Sequence, residues 1–192
     1  MFRFGEQVDN DDLTQSVSHL IVYCHGFGSS GSRHGVHIKH ELDAALGPSC
    51  QVYTCISNTG WTSLITFYKT CQGMDVGGAR IQEEVMSVLS RHPSVREISF
   101  IGSSLGGLYA RFAIGRLLSD TSAPLRGKVT PVAYISLATP HLGVRGPYLN
   151  PLLTWLTPTL RELMLNDSSD LASSAVFRLA SRPKRQQQLG KN

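Results

Sequence analysis

The stretch Ile101-Gly102-Ser103-Ser104-Leu105-Gly106-Gly107 constrains this chain more than any other feature. Upstream, Val95-Arg96-Glu97-Ile98-Ser99-Phe100-Ile101 has the β-branched and aromatic bias of a buried strand, and downstream Leu105 to Leu118 carries apolar residues at helical spacing. The G-x-S-x-G pattern therefore falls at a predicted strand-to-helix corner. Such a corner needs glycines for the sharp turn, holds its central serine in a strained conformation and projects the Oγ above the sheet edge. Ser104 is the candidate nucleophile. A plainer reading is also open, in which Gly102 and Gly106 only let a helix pack tightly on a strand.

A second stretch, Leu20-Ile21-Val22-Tyr23-Cys24-His25-Gly26-Phe27-Gly28-Ser29-Ser30-Gly31, runs from an apolar strand straight into a glycine-rich turn. Acyl transfer at a serine needs two backbone N–H groups to hold the oxyanion, one after the nucleophile and one from a loop after an earlier strand. Leu105 and Phe27 occupy those positions, and Gly26 and Gly28 would let the loop approach a substrate carbonyl. The same residues also satisfy G-x-G-x-x-G, a dinucleotide-binding turn. That alternative wants a carboxylate after the second strand, Gln51 to Cys55, where Ile56-Ser57-Asn58-Thr59 stands instead. No G-K-[ST] phosphate loop is present.

With these motifs together the chain resembles the eukaryotic putative serine esterases, lipase-like α/β-hydrolases. The resemblance is carried by H-L-I-V-Y-C-H-G-F-G, by M-D-V-G-G-A-R-I-Q-E-E-V from Met74, by I-S-F-I-G-S-S-L-G-G-L-Y-A-R-F-A-I-G from Ile98, and by I-S-L-A-T-P-H-L-G-V-R-G from Ile135. It departs at Ser103, where the family usually has His, and at Phe27, where it usually has an aliphatic residue. The resemblance implies an esterase whose base comes last in the chain. His25, which precedes the serine, is then a residue that orients the loop, and His141 supports the pocket without acting as base. The family places its acid and base beyond the equivalent of Asp167; His141 is the only histidine after Ser104 and Asp120 the only acid between them, which makes these two the fallback partners. The expectation is thus a C-terminally truncated domain, and whether the chain is itself an enzyme stays open.

Hydrophobic patterning predicts strands at His19 to Cys24, Gln51 to Cys55, Val95 to Ile101 and Val132 to Ala138. Helices are predicted at Gly35 to Leu46, Ala79 to His92 and Leu105 to Leu118. The alternation implies an α/β fold with a parallel sheet and helices on both faces, and the resemblance implies an α/β-hydrolase-type sheet missing the last strands. The resemblance implies the strand order two, one, three, four, which brings the Phe27 loop and Ser104 together at the topological switch point. On the second of these helices Ile81, Val85, Val88 and Leu89 form the inner stripe and Glu83 and Glu84 face out. Asp75 and Arg80 are read as a structural helix-start network. Gly60 to Gln72, with Trp61, Leu64, Ile65, Phe67 and Tyr68, suits an acyl-binding wall or a core cover equally; Pro147 to Leu165, with Trp155, suits a lid or a buried scaffold helix equally.

At 192 residues with no run of eighteen apolar residues, the chain reads as a single domain without a membrane span. Its parts are an N-terminal segment (1–17), the incomplete hydrolase domain (18–180) and a basic tail (181–192). Cys24, Cys50, Cys55 and Cys71 show no metal-binding spacing and read as reduced thiols of a cytoplasmic protein. The net charge of +4 comes from Arg178, Arg182, Lys184, Arg185 and Lys191, since no acid follows Leu171. This end reads as a solvated terminus; peripheral membrane contact is open, and the lack of interleaved aromatics argues against nucleic acid. The expected activity is hydrolysis of a lipid ester through an acyl-enzyme at Ser104, with no cofactor and no metal. A non-catalytic binding module that keeps the pocket is the alternative, and a thioesterase is a lesser one.

Overall fold

The computed structural model describes residues 17–27, 32–60, 63–119, 127–144 and 157–180. Four strands, β1 (His19–Cys24), β2 (Cys50–Thr54), β3 (Glu97–Ser103) and β4 (Thr130–Leu137), form a parallel sheet in the order β2-β1-β3-β4. Between them run α1 (Ser32–Leu46), α2 (Ser63–Thr70), α3 (Met74–Arg91) and α4 (Leu105–Ser119). After them come α5 (Pro158–Leu163), a 3₁₀ turn (Leu171–Ser173) and α6 (Ala175–Ala180). Because β1 pairs with β2 on one side and with β3 on the other, the chain reverses its direction of travel across the sheet at β1. The C-terminal ends of β1 and β3 are adjacent there, with Cys24 in register with Gly102.

Alternation along the strands divides the core in two. Leu20, Val22, Ile98 and Phe100 pack with Val85, Val88, Leu108 and Leu117 of α3 and α4. Ile21, Tyr23, Val52 and Ile101 point to the other face, where Ile38 and Leu42 of α1 cover them. This is the α/β-hydrolase-type arrangement that the alternation and the resemblance together imply. Parallel strands buried on both faces read as continuous apolar runs, which is why β1 and β3 are so visible in the sequence.

Three local features depart from the sequence expectations. α3 begins at Met74, five residues before Ala79, and carries Gly77 and Gly78 inside it. A Cβ at Gly77 would meet the Tyr109 ring and one at Gly78 the Phe112 Cβ, so close packing of α3 on α4 needs both glycines. A short helix, α2, occupies part of Gly60 to Gln72. Finally, β4 starts at Thr130, and its register with β3 slips between Ile98 and Ser99. Pro131, which has no N–H to give a ladder, lies at that slip.

The inner stripe of α3 is buried as expected, but Glu84 is only partly exposed and turns toward the loop after β2. Its carboxylate accepts the Tyr53 hydroxyl at 2.8 Å and the N–H groups of Ile56 and Ser57 at 2.9 and 3.0 Å. Arg80 donates to Asn58, to the Lys69 carbonyl and to Gln72, a structural network that ties α3 to the loop after β2. Of the segment Pro147 to Leu165, residues up to 156 lie outside the described residues, as do Trp61, Asp120 and the basic tail. The described remainder, α5, buries Thr159, Leu160 and Leu163 and is scaffold.

Candidate active site

Ser104 stands between β3 and α4 with φ of 52°, in the left-handed region that side chains other than glycine avoid. Holding it there costs on the order of 1–3 kcal/mol, and the neighbouring contacts over-determine it. Its N–H donates to the Leu137 carbonyl at 2.7 Å, and its own carbonyl accepts from Gly107 N–H at 3.1 Å. A Cβ at Gly102 would run into the backbone of Gly107, and one at Gly106 into the carbonyls of Cys24 and His25. Both glycines therefore serve close packing, and the corner they permit leaves Ser104 exposed. Leu105 opens α4, where the first N–H groups of a helix have no intrahelical acceptor.

The loop after β1 reaches the same point. A Cβ at Gly26 would lie 3.0 Å from Ser104 Cβ and 3.5 Å from its Oγ. Phe27 makes an edge-to-face contact with Phe67 of α2, ring centroids 5.1 Å apart. Leu64 and Tyr68 of that helix are 81% and 64% exposed. Phe27 and Ser104, 77 positions apart, are thus brought to one end of the sheet. Gly28 lies outside the described residues.

His25 is buried, with 3% of its surface exposed. Nδ1 lies 3.0 Å from the Gly26 carbonyl and Nε2 lies 2.8 Å from Thr59 Oγ1. A carbonyl only accepts, so Nδ1 carries the proton and Nε2 accepts from the threonine hydroxyl. Burial pushes the imidazole pKa down, the Gly26 bond opposing it, and the ring stays neutral.

His141 is held differently. Arg111 Nη1 lies 3.1 Å from its Nδ1, and Ser136 Oγ lies 2.9 Å from its Nε2. A guanidinium only donates, so Nδ1 must accept and Nε2–H donates to Ser136. This is the wrong tautomer for drawing a proton from a hydroxyl through Nε2. Burial, with Arg111 adding to it, lowers the pKa. Among the described residues no histidine bonds Ser104 Oγ. No group of three or more His, Cys, Asp or Glu side chains among them could hold a metal ion.

Thr59, Asn58 and Glu84 around His25 carry no sequence signal of a role at this end of the sheet. Their partners lie 19 to 34 positions away.

A parallel sheet that reverses at β1, with a strained serine at the following strand-to-helix corner, defines an α/β-hydrolase-type domain. Comparison with known proteins agrees. The chain belongs to the family described as "Putative serine esterase (DUF676)", whose model matches residues 14–190. It is 29% identical over 176 residues to "Putative lipase ROG1" of Saccharomyces cerevisiae, covering 88% of this chain and 24% of that protein. "Putative lipase C4A8.10" of Schizosaccharomyces pombe is 29% identical over 135 residues, 68% of this chain and 17% of the relative. "Putative lipase YDL109C" of Saccharomyces cerevisiae is 32% identical over 138 residues, 69% and 20% respectively. The chain thus spans a quarter or less of the length of these relatives. No helix among the described residues is long and apolar enough to cross a membrane.

Proposed function

We propose that this domain hydrolyses a carboxylic ester, with Ser104 as nucleophile at a nucleophile elbow and the N–H groups of Phe27 and Leu105 as oxyanion donors. The observation that carries this reading is the left-handed backbone of Ser104 beside Gly26. Ser104 Oγ attacks the acyl carbon while its proton passes to a base, and negative charge gathers on the former carbonyl oxygen. Collapse expels the alcohol, and water then releases the acid from the acyl-serine. Neither His25 nor His141 serves as that base, because both have their ring nitrogens engaged. Exposed Leu64 and Tyr68, on the helix that packs against Phe27, favour a lipid acyl chain. The names of the relatives point the same way.

A second reading is favoured by the tautomer of His141: the pocket binds an acyl compound and does not turn it over. A fluorophosphonate probe separates the two. Under the hydrolase reading it labels the protein at Ser104, and Ser104→Ala abolishes the label. An unlabelled wild-type protein leaves the binding reading standing.

A further inference from the structure

Thr59 stands outside the residues that touch Ser104, yet its hydroxyl holds the second ring nitrogen of His25, the first being fixed as Nδ1–H by the Gly26 carbonyl. We propose that Thr59 is a positioning residue for acyl transfer: by donating to His25 Nε2 it anchors the imidazole so that its Nδ1–H clasps the Gly26 carbonyl and sets the direction of the Phe27 N–H. The inference rests on the ester-hydrolase reading given above.

The link from carbonyl to N–H is geometric. In a planar trans peptide the C=O of one residue and the N–H of the next point in opposite directions. Among the described residues no peptide bond is cis. Fixing the Gly26 carbonyl on Nδ1 at 3.0 Å therefore fixes the Phe27 N–H on the opposite side of the same plane. Gly26 is the residue at which a Cβ would meet Ser104, so a rotation of this peptide is felt at the nucleophile. The Gly26 carbonyl requires the proton on Nδ1, and the threonine hydroxyl completes the arrangement by donating to Nε2. The reverse tautomer would present a lone pair to the carbonyl and an N–H to the threonine oxygen.

Thr59 can hold the ring because its own backbone is bonded at both its N–H and its carbonyl. Its N–H donates to the Ile56 carbonyl at 2.8 Å, and its carbonyl accepts from Lys69 Nζ at 2.8 Å. Lys69 also reaches the Ser57 carbonyl at 3.1 Å. Glu84 takes the N–H groups of Ile56 and Ser57, and Asn58 Nδ2 donates to the Gly77 carbonyl at 3.0 Å. The loop after β2 is thus anchored to α2 and α3, and Thr59 carries that rigidity across to the β1 loop. Positioning groups of this kind matter because a small misplacement of a donor or nucleophile can cost about a hundredfold in rate.

The test compares Thr59→Val, which keeps the shape and removes the donor, with Thr59→Ser, which keeps the donor. Nitrogen-15 spectra of the 192-residue chain read the His25 tautomer directly, and the second-order rate of fluorophosphonate labelling reads Ser104. Wild type and Thr59→Ser should show Nδ1–H. Thr59→Val should keep Nδ1–H but show the Nε2 resonance of an unbonded lone pair and a weakened Nδ1–H signal, and should label about 10- to 100-fold more slowly, with thermal unfolding still cooperative. Should Thr59→Val not fold, Thr59→Ala takes its place with the same expectation. Unchanged ring-nitrogen signals and labelling rate in the donor-less variant overturn the role of Thr59 while leaving the hydrolase reading intact. A wild-type chain that shows the tautomer but takes no label overturns the hydrolase reading, and with it the claim that this positioning serves acyl transfer.

Discussion

The two outer strands of the sheet are finished in opposite ways. Along β2, Lys39 and Asp43 of α1 form an ion pair at 2.8 Å and turn to the strand: Asp43 accepts the Val52 N–H at 3.0 Å, and Lys39 donates to the Val52 carbonyl at 3.2 Å. Both hydrogen-bonding groups of an outer-strand residue are consumed by charged side chains, a device that denies the edge to another chain. β4 has no such guard among the described residues. It leaves Val132, Ile135 and Leu137 at 53%, 50% and 43% exposed, although Ile135 lies in register with the buried Ile101. Ser104 sits between these halves. On the β1–β2 side His25 is neutral, buried and tied to an anchored loop; on the β4 side His141 is turned by Arg111 toward Ser136. Among the described residues, then, the β2 border is closed by its own helix and the β4 border is left apolar.

The largest effect is expected at the guarded border. Asp43→Ala strips the buried Val52 N–H of its acceptor and Lys39 of its counter-charge, which should cost about 1.5–3 kcal/mol, the usual range for a hydrogen bond to a charged group. Asp43→Asn keeps an acceptor and should recover most of that loss. Urea unfolding of the two variants measures it. A loss below about 0.5 kcal/mol for Asp43→Ala would show that water replaces the carboxylate and that the border is not guarded in the sense argued here.

The sequence made the sheet legible wherever burial on both faces produced unbroken apolar runs, as in β1 and β3, and it made Ser104 legible because a strained turn demands glycines at fixed offsets. It failed where a residue's neighbour is set by tertiary contact. Gly77 and Gly78 read as the end of a loop, because nothing in the local pattern announces Tyr109 and Phe112 packed against them. Glu84 falls on the polar side of a helical wheel, yet the loop after β2 folds back over it and offers two N–H groups. The second ring partner of His25 and the group that sets the tautomer of His141, Thr59 and Arg111, lie 34 and 30 positions away. Spacing in the chain carries no trace of either pairing.

An intermediate effect should come from the carboxyl that docks α5 on the start of α3. Glu162 accepts the Met74 N–H at 2.6 Å and lines a cavity of about 270 Å³ with Asp75, Asp167, Phe112, Ser173, Ala175 and Arg178. Burial raises its pKa to about 7, Asp75 and Asp167 adding to the rise while the Met74 bond and Arg161 oppose it. A folded pKa above the unfolded one means that the contribution to stability is full below about 4.5 and is lost as pH climbs through about 7. Glu162→Gln should match wild type near pH 4.5 and exceed it at pH 8 by about 1–2 kcal/mol, less than full linkage because the carboxyl is only part buried. Unfolding free energies at the two pH values decide the matter. If the variant is instead the weaker protein at pH 8, the ionised carboxylate is what caps α3, and this side of the molecule is guarded by charge just as β2 is.

The smallest effect on stability belongs to the open border, and it is informative because it should dissociate from association. Ile135 is already half exposed, so Ile135→Lys forfeits only part of the roughly 1.5–3 kcal/mol that full burial of such a side chain is worth, and the loss should stay under about 1 kcal/mol. The same change places a charge on the apolar face beside an unguarded strand, the natural means of blocking edge-to-edge pairing. Sedimentation velocity over a tenfold range of concentration should show self-association in the parent chain and little or none in the variant. The corresponding charge on the far border, Gln51→Lys on β2, should leave association unchanged, because Lys39 and Asp43 already occupy that edge at the neighbouring Val52. Equal sedimentation of all three proteins as monomers would mean that exposed Val132, Ile135 and Leu137 do not suffice to recruit a second copy, and the contrast between the two outer strands would then be one of local hydrogen bonding alone.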